Sequence, residues 1–227
     1  MTPSETFAGK TFVVRVDDAT AHDDAATLID DLHVLCERAI RPIVVAPDPR
    51  SARTIVRTIN RSSSIAVALG GSDAGMLPQT ASGIGRVHTH LLTTLTTAGF
   101  IPVVEPTAFA VFGDADTAVV ADDVAAAIAS ACEAARAIFF HQSGGVNDPA
   151  THELIGELTP AEALALADDD RVLPDLRAAI RAAALGVRGG IPAAQIVDGR
   201  VAHATVVELF TAQHLGTQVT GGIVLAA

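Results

Sequence analysis

Apolar runs of strand length alternate with helical patterns over the whole chain. TFVVRV (11–16) reads as a strand, and the spacing of Leu28, Leu32, Leu35 and Cys36 puts one apolar face on a helix over 23–39. RPIVVAP (41–47) predicts a second strand, 52–60 a second helix, and SIAVALGG (64–71) a third strand ending in a glycine pair. A glycine-punctuated stretch over 76–87 has hairpin character; a helix over 91–98 and a strand, IPVVEP (101–106), follow it. The second half repeats the style with a helix over 122–137, strand AIFFHQ (137–142) and helices over 160–167 and 173–185. Strand AAQIVDG (193–199), a helix over 202–210 and an edge strand GTQVT (216–220) complete it. Most of these strands are continuous apolar runs, the pattern of burial on both faces. The expected fold class is α/β, a three-layer sandwich with a mainly parallel central sheet between helices. Ligands of such sheets sit off the carboxyl ends of the strands, so chemistry is sought after Val16, Ala46, Leu69, Glu105 and Phe140.

Composition narrows the functional classes. The 227 residues are 49% hydrophobic and 18% charged, a globular balance with length enough for a sizeable core. The formal net charge is −11 and no Lys/Arg-rich run occurs, which argues against a nucleic-acid partner. Asp122 and Asp123 break the longest Ala-rich stretch, so no membrane span is expected. The first residues lack the pattern of a signal peptide, and Cys36 and Cys132 sit in helix-like patterns; both point to reduced thiols in a cytoplasmic protein. The basic residues are lopsided, 14 arginines against the single lysine Lys10.

The strand ends carry the candidate chemistry. Asp17 and Asp18 follow the first strand and face the expected crevice, as oxygen ligands for a cation or as part of an acidic helix start. Asp23 and Asp24 read as an acidic helix start. Prolines flank Asp48, and Arg50 and Arg53 behind it are placed to grip an anion or stay solvated. Gly70 and Gly71 permit close backbone approach or simply a turn. In HQSGGVND (141–148), His141 offers acid–base chemistry or a structural contact, and Gly144 and Gly145 offer flexibility. His88 and His90 are two apart with no carboxylate or cysteine pattern nearby, and no metal site is expected.

The order of elements resembles the amino acid kinase family, above all its N-acetylglutamate kinases. IVDGRVAHATVVELFTAQHLGTQV (196–219) is similar to the terminal strand, helix and Gly-Thr edge of those enzymes. AGFIPVVEP (98–106), VVADDVAAAIASACEAARAIFF (119–140) and RPIVVAP (41–47) resemble further segments. The resemblance implies an amino-acid-binding half over 1–106, shortened near 59–65, and a nucleotide-binding half over 107–227.

The departures from the family pattern fall on its chemistry. Where the family has Lys-x-Gly-Gly this chain reads Arg15, Val16, Asp17 and Asp18, and where it has three glycines the chain reads Asp48, Pro49 and Arg50. The motif aspartate is kept as Asp122, the next one is replaced by Gln142, and Asp175 stands where a second catalytic lysine is expected. Phosphoryl transfer needs cations and backbone N–H groups around the phosphates. Two like unit charges about 4 Å apart repel by about 4 kcal/mol at an effective dielectric near 20. Loss of ATP-driven transfer is therefore expected, with neither ATP, Mg²⁺ nor another cofactor retained.

Three readings follow. In the first, the fold carries non-phosphorylating chemistry on an amino-acid-derived molecule, free or on a carrier protein. Asp17, Asp18, Asp122 and His141 then act as acid–base groups, and Arg15, Asp48, Arg50, Gly70, Gly71, Gly144 and Gly145 line the substrate. In the second, the chain is a silent subunit that binds a partner or metabolite. In the third, it is a residual kinase of arginine-type biosynthesis. The resemblance further implies a homodimer, and the silent-subunit reading a heteromer with a partner subunit.

Overall fold

The computed structural model describes residues 7–22, 25–81, 83–110, 116–211 and 215–221; Asp23 and Asp24 lie outside them. Thr11–Arg15 form β1, Asp18–His22 the short helix α1 and Ala25–Glu37 α2. Arg41–Val45 is β2, Pro49–Asn60 α3 and Ala66–Leu69 β3. Pro78–Thr80 (β4) and Gly83–Ile84 (β5) pair as the expected hairpin ahead of α4, His90–Thr97. Ile101–Val104 (β6), Thr107–Ala110 (β7) and Asp116–Ala118 (β8) precede α5, Ala121–Ala131. Beyond it run β9 (Arg136–Phe140), β10 (Val146–Asn147), β11 (Leu154–Ile155), β12 (Glu157–Leu158), α6 (Pro160–Ala167), α7 (Pro174–Arg188), β13 (Ala193–Val197), α8 (Ala204–Phe210) and β14 (Thr217–Thr220).

The central sheet has eight strands in the order β12-β14-β13-β9-β1-β2-β6-β3. From β3 across to β13 every neighbouring pair is parallel, and β14 runs antiparallel to β13. The chain leaves β1 toward β2 and returns on its other side as β9, so the strand order reverses at β1. That reversal opens a crevice at the carboxyl ends of β1 and β9. Segment GTQVT is not at the sheet edge. The two-residue β12 lies outside it, pairing Glu157 with Gln218 and Leu158 with Val219. Short strands β4, β5, β7 and β8 make a second, four-stranded sheet that apolar periodicity could not announce.

Local chemistry explains the helix limits. α3 starts at Pro49, ahead of the expected residue 52, because Asp48 caps it and Pro49 takes the first helical position. α5 ends at Ala131, well short of 137, where Cys132 closes it and Glu133 turns to φ 49°. The chain between α3 and β3 is drawn tight. Asn60 accepts from Ala66 N at 2.8 Å and donates to Ala66 O at 2.9 Å, closing the short connection expected near 59–65.

Strand alternation sorts the core into two layers. Phe12, Val14 and Val16 face one side, with Leu28 and Leu32 of α2, Ile55 and Ile59 of α3, and Leu209 of α8. Val13 and Ile43 face the other, with Leu92 of α4, Val124 and Ile128 of α5, and Ile180 and Val187 of α7. A period of two puts Arg15 on the face of Val13. The last residue of β1 thus aims at the start of α5.

Candidate active site

Arg15 meets Asp122 in the first turn of α5. Its Nη2 donates to Asp122 Oδ2 at 3.2 Å, Nε lies 3.0 Å from Oδ1 as an ion-pair contact, and Nη1 donates to Phe140 O at 3.4 Å. Both side chains are largely buried. Burial pushes the Asp122 carboxyl above its usual range; the Arg15 charge opposes that shift and Asp123 adds to it. Arg15 is thereby engaged by an internal carboxylate.

Asp17 closes the first turn after β1. Its Oδ1 accepts from Thr20 N at 2.9 Å, capping α1. Its Oδ2 is buried and has no partner among the described residues, although the residue is only 7% exposed. Asp18 beside it is exposed. With Arg15, His141, Gln142 and Asp175 they line a cavity of about 190 Å³ at the β1–β9 reversal. That is below the roughly 300–1,000 Å³ of pockets that take drug-sized ligands, and it suits a head group.

His141 follows β9, held by its N–H to Val197 O at 2.9 Å. Nε2 lies 3.2 Å from Asp175 Oδ2, and Nδ1 accepts from Ser143 N at 3.1 Å and lies 2.8 Å from Ser143 Oγ. A backbone N–H can only donate, which assigns the lone pair to Nδ1 and the proton to Nε2. Burial raises the Asp175 carboxyl, but the Leu176 N–H and His141 more than offset it, so the group sits below its ordinary range. Gly144 (φ 72°) and Gly145 (φ 133°) form the following turn. A Cβ on Gly145 would stand 2.7 Å from Leu154 Cδ1, so this pair is a conformational requirement.

The remaining candidates are elsewhere and already engaged. Asp48 Oδ1 accepts from Arg50 N at 2.7 Å and Ser51 N at 3.1 Å, and Oδ2 accepts from Ser51 Oγ. The α3 N-terminus, a natural anion site, is thus filled by the chain's own carboxylate. Arg50 is exposed, and Arg53 reaches Glu105 at 3.9 Å. Gly70 N donates to Asp73 Oδ2 and Gly71 N to Thr107 Oγ1, so these two N–H groups have internal acceptors. Lys10 lines a cavity with Thr11, Arg41 and Glu133, at the amino end of β1. The structure therefore gathers Arg15, Asp17, Asp18 and His141 at the cavity, sets Asp122 behind Arg15 as its ion-pair partner and not on the cavity wall, and leaves Asp48, Arg50, Gly70 and Gly71 outside. Sequence reasoning missed Ser143 and the pairing of Asp175 with His141. A serine two residues beyond a strand-end histidine was the available signal; Asp175, 34 positions on, gave none.

The model of the amino acid kinase family matches residues 51–198. An acetylglutamate kinase of Thermosynechococcus vestitus is 30% identical over 273 aligned positions, covering 96% of this chain and 90% of that protein. That alignment is longer than the 227-residue chain, so the relative has tens of positions without a counterpart here. An acetylglutamate kinase of Synechococcus sp. (strain WH7803) is 36% identical over 187 residues, 76% of this chain; the chain spans only 62% of that relative's length. Among solved structures, N-acetylglutamate synthase from Neisseria gonorrhoeae, complexed with coenzyme A and N-acetyl-glutamate, gives a TM-score of 0.78 at 20% identity, over 96% of this chain and 61% of that one. Carbamate kinase from Giardia lamblia, bound to AMP-PNP, gives 0.64 at 9% identity, over 95% of this chain and 99% of that one. The structural likenesses bear on fold, and the sequence matches carry the identification: this chain is a member of the amino acid kinase family, similar to the acetylglutamate kinases.

Proposed function

We propose that this chain has lost ATP phosphoryl transfer and binds the ammonium group of an amino-acid-derived substrate, free or carrier-bound, for non-phosphorylating chemistry. The chemistry is activation of an amine for displacement of a leaving group or for ring closure. The observation that carries the reading is the acidic cavity, in which Asp17 keeps a buried carboxylate oxygen without a partner among the described residues. A buried, unpaired carboxylate oxygen is costly, and an ammonium N–H is a donor that would satisfy it.

The parts divide the work. Asp17 and Asp18 receive the ammonium and Asp17 takes a proton from it, leaving a nucleophilic amine. His141, its protonated Nε2 facing Asp175, moves the proton of the leaving group. Arg15 is neutralised by Asp122 and keeps the floor of the site rigid. ATP fits this chain poorly: Asp48 occupies the α3 N–H donors and Asp17 and Asp18 stand at the end of β1. The reading needs neither ATP nor Mg²⁺.

Thermal shift and calorimetry with L-ornithine, L-lysine and Mg-ATP test it. An amine should raise the melting temperature of the wild type, Asp17→Asn should abolish that rise, and Mg-ATP should leave the melting temperature unchanged. A rise with Mg-ATP, or ADP release in the presence of an acylated amino acid, overturns the reading in favour of a kinase. No response to any of these ligands, with copurification of a second chain that Asp17→Asn does not disturb, overturns it in favour of a silent subunit.

A further inference from the structure

We propose that Ser143, His141 and Asp175 form an acyl-transfer triad: Ser143 Oγ takes the acyl group of an ester or thioester and hands it to the amine held in the acidic cavity. The second half of this proposal rests on the amine-binding reading; the first half, acylation of Ser143, does not.

Geometry supplies the three roles. Ser143 Oγ lies 2.8 Å from His141 Nδ1, within reach for proton transfer, and His141 Nε2 lies 3.2 Å from Asp175 Oδ2. The tautomer is the required one, because Nδ1 carries the lone pair, which accepts from Ser143 N and lies 2.8 Å from the hydroxyl oxygen, and Nε2–H faces the carboxylate. Asp175 is anchored by Leu176 N, which donates to its Oδ1 at 3.0 Å, so it orients the ring and stabilises the imidazolium as a positioning residue. Ser143 Oγ also donates to Gly145 O at 2.7 Å, so its proton turns from that carbonyl to Nδ1 when it attacks.

The placement of the hydroxyl defines the substrate. His141 lines the acidic cavity, while Ser143 lines a neighbouring cavity of about 430 Å³ together with Gly145, Asn147, Leu173 and Leu176. An acyl chain fits the larger space and an ammonium head the smaller, and the His141–Ser143 contact joins the two. Ser143 Oγ bonds to the acyl carbon while its proton passes to Nδ1; the carbon–sulfur or carbon–oxygen bond of the donor breaks, and the departing thiol or alcohol takes that proton. The neutral amine then bonds to the acyl carbon, the Oγ–carbon bond breaks, and the amine proton returns through Nδ1 to Oγ. An ester or thioester and an amine give an amide and a thiol or alcohol, with no oxidant, reductant or phosphate consumed.

The probe is an alkyl fluorophosphonate, added to the full chain and followed by intact-mass spectrometry and peptide mapping. The expected result is one adduct, mapped to Ser143 and absent from Ser143→Ala. His141→Ala should slow labelling by about a hundredfold. Asp175→Asn should slow labelling by about tenfold, and Asp175→Glu, which keeps the carboxylate, should restore it. An adduct elsewhere, no adduct, or a rate indifferent to His141→Ala overturns the proposal; labelling that Asp175→Asn leaves unslowed, or that Asp175→Glu fails to restore, overturns the part given to Asp175. Peptide mapping of the wild type stands independently of how any variant folds. The phosphonate carries no amine, so its failure leaves the calorimetric test of amine binding intact.

Discussion

Replacing Asp48 with glycine tests the idea that an internal carboxylate has closed an anion site. In the wild type Asp48 accepts from Arg50 N at 2.7 Å and Ser51 N at 3.1 Å. Glycine removes the acceptor and the charge while remaining tolerable at a helix start, so the lost cap should cost only about 0.3 kcal/mol. For a chain of this size that lowers the melting temperature by about 1 °C. The freed N–H groups at the positive end of α3 then face solvent and suit an anion. If inorganic phosphate binds with a dissociation constant on the order of 1 mM, about 20 mM phosphate returns roughly 1.8 kcal/mol. The variant should then melt about 4–7 °C higher with phosphate than without it. The assay is differential scanning fluorimetry in phosphate and in chloride at equal ionic strength, because nonspecific screening acts on both proteins alike. Wild type should show no phosphate-specific gain. An equal gain in wild type, or none in Asp48→Gly despite a visible loss of the cap, refutes the reasoning.

Further outcomes follow from single contacts. A Cβ at Gly71 would stand 2.0 Å from the Thr107 carbonyl oxygen, so Gly71→Ala should cost about 3 kcal/mol, seen as a melting temperature about 6–12 °C lower; an unchanged melting temperature would show that the β3–β7 contact yields easily. Asp122 has its carboxyl pKa raised by burial, so its folded state binds the proton more readily than the unfolded chain. The stability of wild type relative to Asp122→Asn should therefore be greatest below the unfolded pKa and shrink as pH rises from about 4 through the raised folded value; denaturant titrations showing a growing advantage over that range would contradict the sign. Burial pushes the Cys132 thiol up to about 11. Its reaction with a disulfide reagent should accelerate about tenfold per pH unit from neutrality upward, and a pH-independent rate measured in Cys36→Ser would speak against that environment.

The fold was legible where information is local. Continuous apolar runs placed β1, β2, β6, β9 and β13 within a few residues of their observed ends, since a strand buried on both faces must be apolar throughout. Asp48 followed by Pro49 is a helix start written in two residues, although the expected helix began only at residue 52. Lys10 at the amino end of the first strand was also readable, because five extended residues span about 17 Å and the chain direction sets which end faces the crevice.

What the sequence determined by itself was the class of fold, the family, and the acidic residues at the ends of the central strands. Tertiary structure decided which of those charges meet. Arg15 and Asp122 lie 107 positions apart and pair because the period of β1 turns Arg15 toward the α5 side. His141 and Asp175 meet because α7 presents its first turn to the end of β9. β14 is interior because a two-residue strand, too short to show periodicity, pairs outside it. Periodicity and capping act over a few residues and survive in any local window. Ion pairs across a sheet depend on strand order, which no window contains, and at this site strand order selects Asp17, His141, Ser143 and Asp175 from the chain's many polar residues.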